Sequence, residues 1–434
     1  MARALAHRNY RLFFVGQGIS LIGTWMTRVA TGWLVFRLSG PDAAFLLGAV
    51  GFAAQVPSFF LTPFAGVVID RWNRHRLLVL TQVLSLIQSA LLAVVAFRNE
   101  PGAATIWHVG LLSLFQGVIN AFDMPARQAF LVEMVTSKED LPNAIALNSS
   151  LVNGARLLGP SLAGILIALA GEGWCFLIDA ISYVAVVLAL LAMQVPVREV
   201  KQQVTPIWRG MLHGFRYAFG FAPIRTILLL LALTSFMGMP YTVLLPIFAA
   251  DILQGGPHTL GFLSAASGVG ALMGAVFLAS RRTVLGLGNI IWMSCAIFGV
   301  ALVGFALSKI LWVSLLLIML AGFGMMMQMA ASNTILQTIV DEDKRGRVMS
   351  YYTMAFLGMT PFGSLFAGAL AGWIGAANTV LVGGLACLVG AMIFALRLAH
   401  LRALVRPIYV RIGILPEVAT GVQSRTTPDS RPGL

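Results

Sequence analysis

Residues 66–76 read GVVIDRWNRHR and place one acid, Asp70, among basic side chains, between two apolar stretches long enough to cross a membrane. Gly66 has no side chain, so another helix can approach it closely. Asp70 stands at the membrane edge, where a carboxylate can stabilise the N-terminus of a neighbouring helix. Arg71 and Arg74 can anchor the same edge or bridge to acids of neighbouring loops. Surface anchoring explains the arginines but not the acid, so we interpret this segment as an inner gate.

Apolar stretches recur along the whole chain. Of its 434 residues, 59% are hydrophobic and only 10% are charged, whereas a water-soluble domain keeps about a quarter of its residues charged. About 20 apolar residues suffice for one helical crossing of a bilayer. The pattern predicts an all-α membrane protein with twelve transmembrane helices, at residues 12–36, 44–69, 77–97, 106–122, 143–170, 174–195, 225–249, 259–280, 288–307, 311–335, 347–372 and 377–398.

The distribution of basic residues indicates the orientation of these spans. Of the 29 arginines and lysines, 24 fall in segments that lie on one side when both termini are cytoplasmic. Arg37, Arg98 and Lys309 lie on the other side, and Arg28 and Arg156 lie within spans. This asymmetry follows the positive-inside rule and predicts a multi-pass protein of a bacterial inner membrane with both termini inside. It also accounts for the net charge of +13 without a nucleic-acid partner.

We expect neither a cofactor nor a metal site in this chain. Cys175, Cys295 and Cys387 all lie in predicted spans, without the spacing of metal ligands. The six histidines are scattered. We find no phosphate-binding loop and no nucleophile motif. The chain is therefore not expected to be an enzyme or to use ATP.

The predicted spans form two groups of six that look like repeats. Pro160 is followed eleven residues later by Gly171 at the end of the fifth span, and Pro361 by Gly372 at the end of the eleventh. Such a repeat predicts two six-helix halves with a substrate site near the membrane midplane between them. We divide the chain into an N-terminal bundle (1–196), a cytoplasmic linker (197–222), a C-terminal bundle (223–398) and a tail (399–434).

The linker and the tail are both basic. The linker mixes arginine and lysine with aromatic and apolar residues, which is typical of an amphipathic helix on the inner leaflet; a solvated linker is the alternative. In the tail, anionic lipids would attract Arg402, Arg406 and Arg411, and the last residues have the composition of a disordered end. We therefore expect anionic lipids as partners, and a monomeric protein.

The 66–76 segment resembles the signature of the major facilitator superfamily, a glycine followed by Asp-Arg and a basic cluster between spans two and three. The second half carries a degenerate copy, in which Leu278 replaces the acid. The stretches NYRLFF (9–14), GTWM (23–26), DMPARQAF (123–130) and RGRV (345–348) are similar to the branch that includes bacterial enterobactin exporters. The resemblance implies the major facilitator fold and export, and it names no substrate.

The fifth span contains Ala155, Gly159, Pro160, Ala163 and Gly164. This pattern is similar to the motif of drug/proton antiporters in the same superfamily, with the two alanines standing where glycine is usual. Small residues at four-residue spacing allow close helix packing, and the proline permits a bend. In that family the motif accompanies export, whereas helix packing alone is the alternative.

Polar side chains inside spans are candidates for a transport pathway, because polar groups in hydrocarbon are costly. At 100° per residue, two sets each share one helix face. They are Gln17, Thr24 and Arg28 in the first span, and Gln116, Asn120, Asp123 and Arg127 in the fourth. The family fold implies that both spans line the central cavity, with hydrogen bonding between helices as the alternative. Asp123 and Arg127 lie nearer the inner edge, so we assign them to the gate.

Two further residues complete the set of candidates. Gln328 lies in a run of methionines, which can contact varied apolar ligands or simply fill the core. Asp179 is the only acid that we place well inside a span. At 1.5 Å per residue, Arg28 and Asp179 come to similar depths, roughly 12 and 8 Å below the outer ends of their helices. We therefore expect them to form a buried ion pair, either structural or coupled to proton movement.

The leading interpretation is a secondary transporter that exports a small amphiphilic molecule, such as a drug or a siderophore-like compound, by proton-coupled alternating access. Many drug antiporters of the superfamily carry an arginine three residues before a Gln-Gly pair in the fourth span, where this chain has Ser113. The site of proton coupling therefore stays open. Import of a small nutrient, and a membrane sensor or assembly partner that does not transport, are the alternatives.

The gate interpretation predicts that Asp70 lies near residues 345–350 whenever the inner side is closed. Asp70→Asn keeps the size of the side chain and removes the charge that favours a helix N-terminus. We expect the variant to reach the membrane in normal amounts and to transport several-fold more slowly. Wild-type transport rates from a well-expressed variant would refute the gate.

Overall fold

The computed structural model describes residues 3–98, 103–135, 137, 139–194, 216–281 and 283–414, which form α-helices joined by short turns. Hydrocarbon offers the backbone no hydrogen-bond partners, so a helix is the local structure in which an apolar segment satisfies its own amides. The long helices are α1 (Arg8–Ser39), α2 (Ala43–Arg71), α3 (Arg74–Arg98), α4 (Ala103–Met134), α5 (Leu141–Ala170), α6 (Glu172–Leu191), α7 (Ala222–Ile252), α8 (Pro257–Ala279), α9 (Leu287–Leu307), α10 (Leu311–Ile339), α11 (Lys344–Ile374) and α12 (Ala376–Arg411).

By length and hydropathy, eleven segments of the described chain qualify as membrane spans. One of them, Arg8–Thr62, has 55 residues. This run contains α1, a short 3-10 turn at Gly40–Asp42 and the first part of α2. A continuous helix of that length would measure about 80 Å, whereas the hydrocarbon layer is about 30 Å thick. The turn interrupts the run, and α1 packs against α2 beyond it.

The last helix is longer than the predicted span. We expected it to end near residue 398, but α12 continues to Arg411. Leu401 and Val405 are buried in the same apolar cluster as the rest of the C-terminal half. Residues 399–411, which we assigned to the basic tail, therefore belong to the packed helix, whereas residues 415–434 and most of the linker (197–222) lie outside the described residues.

An ion-pair cluster holds the end of α12 against the turn between α10 and α11. Arg411 Nη2 donates to Asp341 Oδ1 at 3.1 Å, and Lys344 Nζ donates to Asp341 Oδ2 at 3.4 Å. The hydrogen bond from Lys344, together with the charges of Lys344 and Arg411, lowers the pKa of Asp341. Tyr217, in the described end of the linker, also donates to this carboxylate at 3.3 Å.

The two halves of the molecule meet mainly through two helix pairs, α2 with α11 and α5 with α8. In the first pair, a Cβ atom on Gly48 would lie 2.6 Å from the carbonyl oxygen of Ser364 and 2.8 Å from the Cα of Gly368. In the second pair, a Cβ atom on Gly261 would lie 2.6 Å from the carbonyl oxygen of Pro160. The helices therefore touch backbone to backbone, which only glycine permits at such distances.

Both glycine crossings lie toward the same end of the bundle, which carries residues 40–42, 171 and 375. We call it the outer end, because the distribution of basic residues predicts that it is external. Deeper in the bundle, the halves touch again where a Cβ atom on Gly358 would meet the ring of Phe59 at 2.5 Å. The structure is thus closed between its halves at the outer end.

The small residues of α5 serve two contacts. On one face, a Cβ atom on Gly159 would lie 2.5 Å from Trp25 Cβ of α1, inside the N-terminal half. On another face, a Cβ atom on Gly164 would lie 3.0 Å from the Cα of Gly261 in the C-terminal half. Ala155, Pro160 and Ala163 are buried as well. The predicted packing motif therefore packs both within a half and between the halves.

The outer closure generates a prediction for Gly48→Ala. The added methyl group would have to displace the backbone of α11, and overpacking of this kind costs about 1–3 kcal/mol. The substitution should shift the equilibrium away from the outer-closed state by about 5- to 150-fold. We expect faster labelling by a membrane-impermeant thiol reagent of a reporter cysteine introduced by Val243→Cys, since Val243 contacts Gly51 across the halves.

The three native cysteines are all buried and should give little background labelling. Gly110→Ala is the matched control, because nothing lies within 4 Å of a Cβ atom at that position of α4. Equal labelling of the Gly48→Ala variant and its control would contradict the role assigned to this crossing.

Candidate functional site

Of the six residues assigned to the inner gate, the structure describes the side chains of four, namely Arg71, Arg74, Asp123 and Arg127. Asp123 of α4 is buried and forms an ion pair with Arg127, one turn along the same helix. Thr81 Oγ1 and Gln82 Nε2 of α3 donate to Asp123 Oδ1 at 2.8 and 2.7 Å. The ion pair therefore lies within one helix, and the neutral donors connect it to α3.

A second ion pair joins the start of α3 to the end of α4. Arg74 Nη1 donates to Glu133 Oε1 at 2.8 Å. The neighbouring His75 places Nε2 2.8 Å from the carbonyl oxygen of Leu190 in α6. Arg71 is exposed. These contacts tie α3, α4 and α6 together at the predicted inner end.

The other two residues assigned to the gate are Asp70 and Gly66. The side chain of Asp70 and the surroundings of Gly66 lie outside the part of the chain that the structure describes, although both positions fall within α2. The contact expected between Asp70 and the start of α11 stays a prediction.

The polar residues predicted to line a cavity make hydrogen bonds between helices of the N-terminal half. Thr24 Oγ1 lies 3.2 Å from the Tyr183 hydroxyl of α6. Gln116 Nε2 donates to Asn120 Oδ1 at 3.1 Å, while Gln116 Oε1 is buried without a partner among the described residues. Gln17 is buried. Gln116 Nε2 also donates to Ser85 Oγ of α3 at 3.3 Å. Thr24 and Gln116 therefore bond between helices, whereas the bond of Asn120 stays within α4. All three residues are half-buried.

Asp179 lies where α1, α3 and α6 meet. Its carboxyl group is 1% exposed, and Thr27 Oγ1 and Ser89 Oγ each donate to Oδ2 at 2.8 Å. The other oxygen, Oδ1, has no hydrogen-bond partner among the described residues. A Cβ atom on Gly23 would lie 2.6 Å from Oδ1. Glycine at this position therefore lets the carboxyl group approach the backbone of α1.

The expected ion pair between Arg28 and Asp179 does not form among the described residues. The depth estimate was sound, because the residue that contacts Asp179 is Thr27, next to Arg28. The helix face was wrong: successive residues point 100° apart, so Thr27 faces α6 while Arg28 turns away. The Arg28 guanidinium instead lies over the Trp25 ring, with Cζ 4.7 Å from the centroid.

Arg156 reaches the same tryptophan from α5. Its Cζ atom lies 5.7 Å from the centroid of the Trp25 ring. The Arg28 side chain keeps accessible surface although it lies deep among protein atoms, and Arg156 and Trp25 are half-buried. Sequence reasoning singled out Arg28 but assigned no role to Arg156 or Trp25.

A further polar cluster lies in the C-terminal half, and sequence reasoning found only one of its members. Gln328 Nε2 of α10 donates to Thr234 Oγ1 of α7 at 2.9 Å. Gln328 Oε1 and the hydroxyl groups of Ser235 and Ser332 are buried without partners among the described residues. Thr234 and Ser235 begin a π-helical turn, Thr234–Gly238, and such turns are frequent at functional sites. No sequence pattern predicted this turn.

The methionines around Gln328 divide between packing and partial exposure. Met325 and Met327 are buried in the apolar core of the C-terminal half, and Met326 and Met329 are half-buried. Met325 and Met327 therefore fill the core, as the second of the two interpretations of the methionine run expected.

These features can be compared with known proteins. A family model described as "Transmembrane secretion effector" matches residues 2–407. The chain belongs to this family. Secretion effectors of this kind are transporters of the major facilitator superfamily, in agreement with the fold and with the motif at residues 66–76.

Several characterised relatives are similar to this secretion effector over most of their length. The staphyloferrin A transporter of Staphylococcus aureus is 26% identical over 387 residues, which cover 88% of this chain and 95% of the relative. The multidrug efflux pump Tap of Mycolicibacterium fortuitum is 26% identical over 359 residues, with 80% and 86% of the two chains covered. Both names describe transport of small molecules across a membrane.

Solved structures support the fold alone. A bacterial homologue of the iron transporter ferroportin, in an inward-facing state, superposes with a TM-score of 0.70 at 18% identity, covering 89% of this chain and 98% of the other. A bacterial homologue of the lysosomal transporter Spinster, also inward-facing, gives a TM-score of 0.67 at 14% identity, with 95% and 98% covered.

Proposed function

We propose that this secretion effector is a secondary active transporter that exports a small amphiphilic molecule by alternating access, driven by protons. The family and the efflux pumps among its relatives support the export direction. The observation in the chain itself that carries the proposal is the pair of glycine crossings. They close the outer end between two halves whose polar side chains lie deeper in the bundle.

We propose twelve membrane crossings, with both termini on the inner side of a bacterial inner membrane. The run Arg8–Thr62 would supply two crossings, because it is far longer than one bilayer and turns at Gly40–Asp42. The concentration of basic residues in the predicted inner segments supports the orientation. A monomer suffices for this mechanism, because each chain carries both halves.

Alternating access requires an interface that opens without disturbing the core of either half. The contacts at Gly48 and Gly261 suit this requirement, because backbone touches backbone at these two positions. Each half keeps its own buried contacts, such as Asp123 with α3 and Gln328 with α7. We therefore propose that the halves move as rigid bodies about these crossings.

The proposed pathway follows the polar residues of α1, α4 and α10. Gln17, Thr24, Gln116, Asn120 and Gln328 would offer amide and hydroxyl groups to a substrate or to water. Aromatic side chains lie near them, Tyr183 beside Thr24 and Trp25 next to it in α1. A pathway that combines a few polar groups with aromatic surface suits an amphiphilic molecule.

We propose Asp179 as the proton-carrying group, because Ser113 replaces the arginine that serves many drug antiporters. The described partners of its carboxyl group are hydroxyl groups and not cations. A charged carboxylate without a cation is costly at this depth, so a bound proton would lower that cost. Movement of the two halves would change the access of water to the N-terminal bundle, and Asp179 would then release its proton.

Export is tested by comparing a deletion strain with an overexpressing strain. We expect at least one amphiphilic compound to accumulate in the medium of the overexpressing strain, or its toxicity to fall, in step with expression. Identical media and identical susceptibilities in both strains would contradict export. Enrichment of a nutrient inside the overexpressing cells would favour import instead.

Proton coupling is tested in inverted membrane vesicles with Asp179→Asn. The amide keeps the size of the side chain but cannot carry a proton, so gradient-driven accumulation of the exported compound should fall at least about tenfold. Exchange of labelled for unlabelled compound, which needs no gradient, should persist. Asp42→Asn is the control, because Asp42 is exposed at the outer end. Undiminished accumulation by the Asp179→Asn variant would contradict the assignment.

A further inference from the structure

Two arginines from different helices approach one tryptophan ring inside the N-terminal half. Arg28 of α1 lies 4.7 Å, and Arg156 of α5 lies 5.7 Å, from the centroid of the Trp25 ring. A guanidinium over an indole face is held by the ring's electron density, and tryptophan is the strongest such partner. The ring therefore positions two like charges near each other within the membrane.

Neither guanidinium has an acidic partner among the described residues. The acids that could serve them are engaged elsewhere: Asp123 with Arg127, Glu172 with Arg37, and Asp179 with two hydroxyl groups. Arginine does not give up its proton in proteins. The middle of the N-terminal half thus carries two positive charges that no described carboxylate neutralises.

Such an arrangement is costly unless something else stabilises it. An uncompensated charge in a membrane span requires water or an oppositely charged group. The Arg28 side chain keeps accessible surface despite its depth among protein atoms, so it borders an open space between helices. Two guanidiniums that approach one ring create a local positive potential that attracts anions. A purely structural pair would gain nothing from placing like charges together.

The position of the pair connects it to the moving interface. A Cβ atom on Gly268 of α8 would lie 3.3 Å from the carbonyl oxygen of Arg156, so this part of α5 borders the C-terminal half. Ser267, next to Gly268, shares a hydrogen bond of 2.8 Å with Tyr241 of α7. A molecule bound at the arginines would therefore lie next to both halves.

We propose that Arg28, Trp25 and Arg156 form an anion-binding subsite of the transport pathway, and that the exported molecule carries a carboxylate attached to a planar or aromatic body. The inference rests on the proposed function for its biological role. Guanidinium groups match the two oxygens of a carboxylate in a planar, two-pronged hydrogen bond. The indole supplies an apolar face beside them.

The test uses two dyes with a similar three-ring body, fluorescein with a free carboxylate and cationic rhodamine 123 with a methyl ester. Fluorescence polarisation with the purified full-length protein measures binding of each. We expect the wild-type protein to bind fluorescein more tightly than rhodamine 123. Arg28→Gln and Arg156→Gln should each weaken fluorescein binding about 10- to 100-fold, because each removes a charge-assisted hydrogen bond. Rhodamine 123 binding should not weaken.

Matched variants separate charge loss from general damage. Arg98→Gln removes one positive charge at the exposed end of α3 and should change fluorescein binding less than about twofold. Arg28→Lys and Arg156→Lys keep the charge but lose the planar fork, so their affinities should fall between wild type and glutamine. Competition for bound fluorescein can be measured on the wild-type protein itself. Benzoate should displace fluorescein, and benzylamine should not.

Each outcome decides a different claim. Preferential binding of rhodamine 123, binding of neither dye, or equal displacement by benzoate and benzylamine would overturn the anion subsite. None of these results bears on export, which the strain comparison tests. The opposite combination is also informative. If fluorescein binding depends on both arginines but the strain comparison shows no export, the anion subsite is supported and the proposed function is contradicted.

Discussion

The hydrocarbon interior of a membrane offers no partners to polar groups, and this constraint shapes the whole molecule. Backbone amides find their partners within helices, and nearly every polar side chain in a span must be satisfied by another helix or by water. The structure meets the requirement locally for Asp123, which has Arg127, Thr81 and Gln82 around it. Where the requirement is not met internally, at Arg28 and Arg156, water or a bound molecule has to complete it.

The same constraint explains how the halves meet. Lipid is as apolar as leucine, so apolar side chains alone give helices little reason to associate, and close backbone packing supplies the attraction. Gly48 against Gly368 and Gly164 against Gly261 provide such packing at the outer end. Polar networks rigidify each half internally, whereas the halves meet through small-residue packing at these glycines and through contacts of Phe362 with Phe52 and Phe59. The transporter therefore has two rigid halves and an interface between them that can open.

The positions of the helices could be predicted well, because hydropathy reports directly on membrane crossing. Their lengths could not: α4 (Ala103–Met134) has 32 residues, where the sequence predicted a span at 106–122. Most predicted spans fall inside the observed helices, and the sixth span overran α6 by four residues, since α6 ends at Leu191. The end of α12 was missed because Leu401 and Val405 are buried against protein, which hydropathy does not distinguish from a surface tail. The π-helical turn at Thr234–Gly238 left no recognisable pattern.

The candidate site was predicted less completely, because a single sequence gives the depth of a residue but not its direction. The depth argument brought α1 and α6 together at the right level, yet the face toward Asp179 belongs to Thr27. The three- and four-residue spacing of Ser20, Thr24, Thr27 and Thr31 was a usable signal for that face. The pairing of Arg28 and Arg156 through Trp25 depends on how α1 and α5 cross, which only the folded structure reveals.

The central claim is that two rigid halves alternate between a state closed at the outer end and a state closed at the inner end. Spin-label distances in lipid nanodiscs test it most directly, with one label pair at the outer end (Asp42→Cys and Asn378→Cys) and another at the predicted inner end (Glu139→Cys and Ser280→Cys), all at exposed positions. On addition of the exported compound or a change of pH, we predict that the outer distance lengthens while the inner distance shortens. Distances that stay fixed under every condition, or that lengthen together, would contradict alternating access.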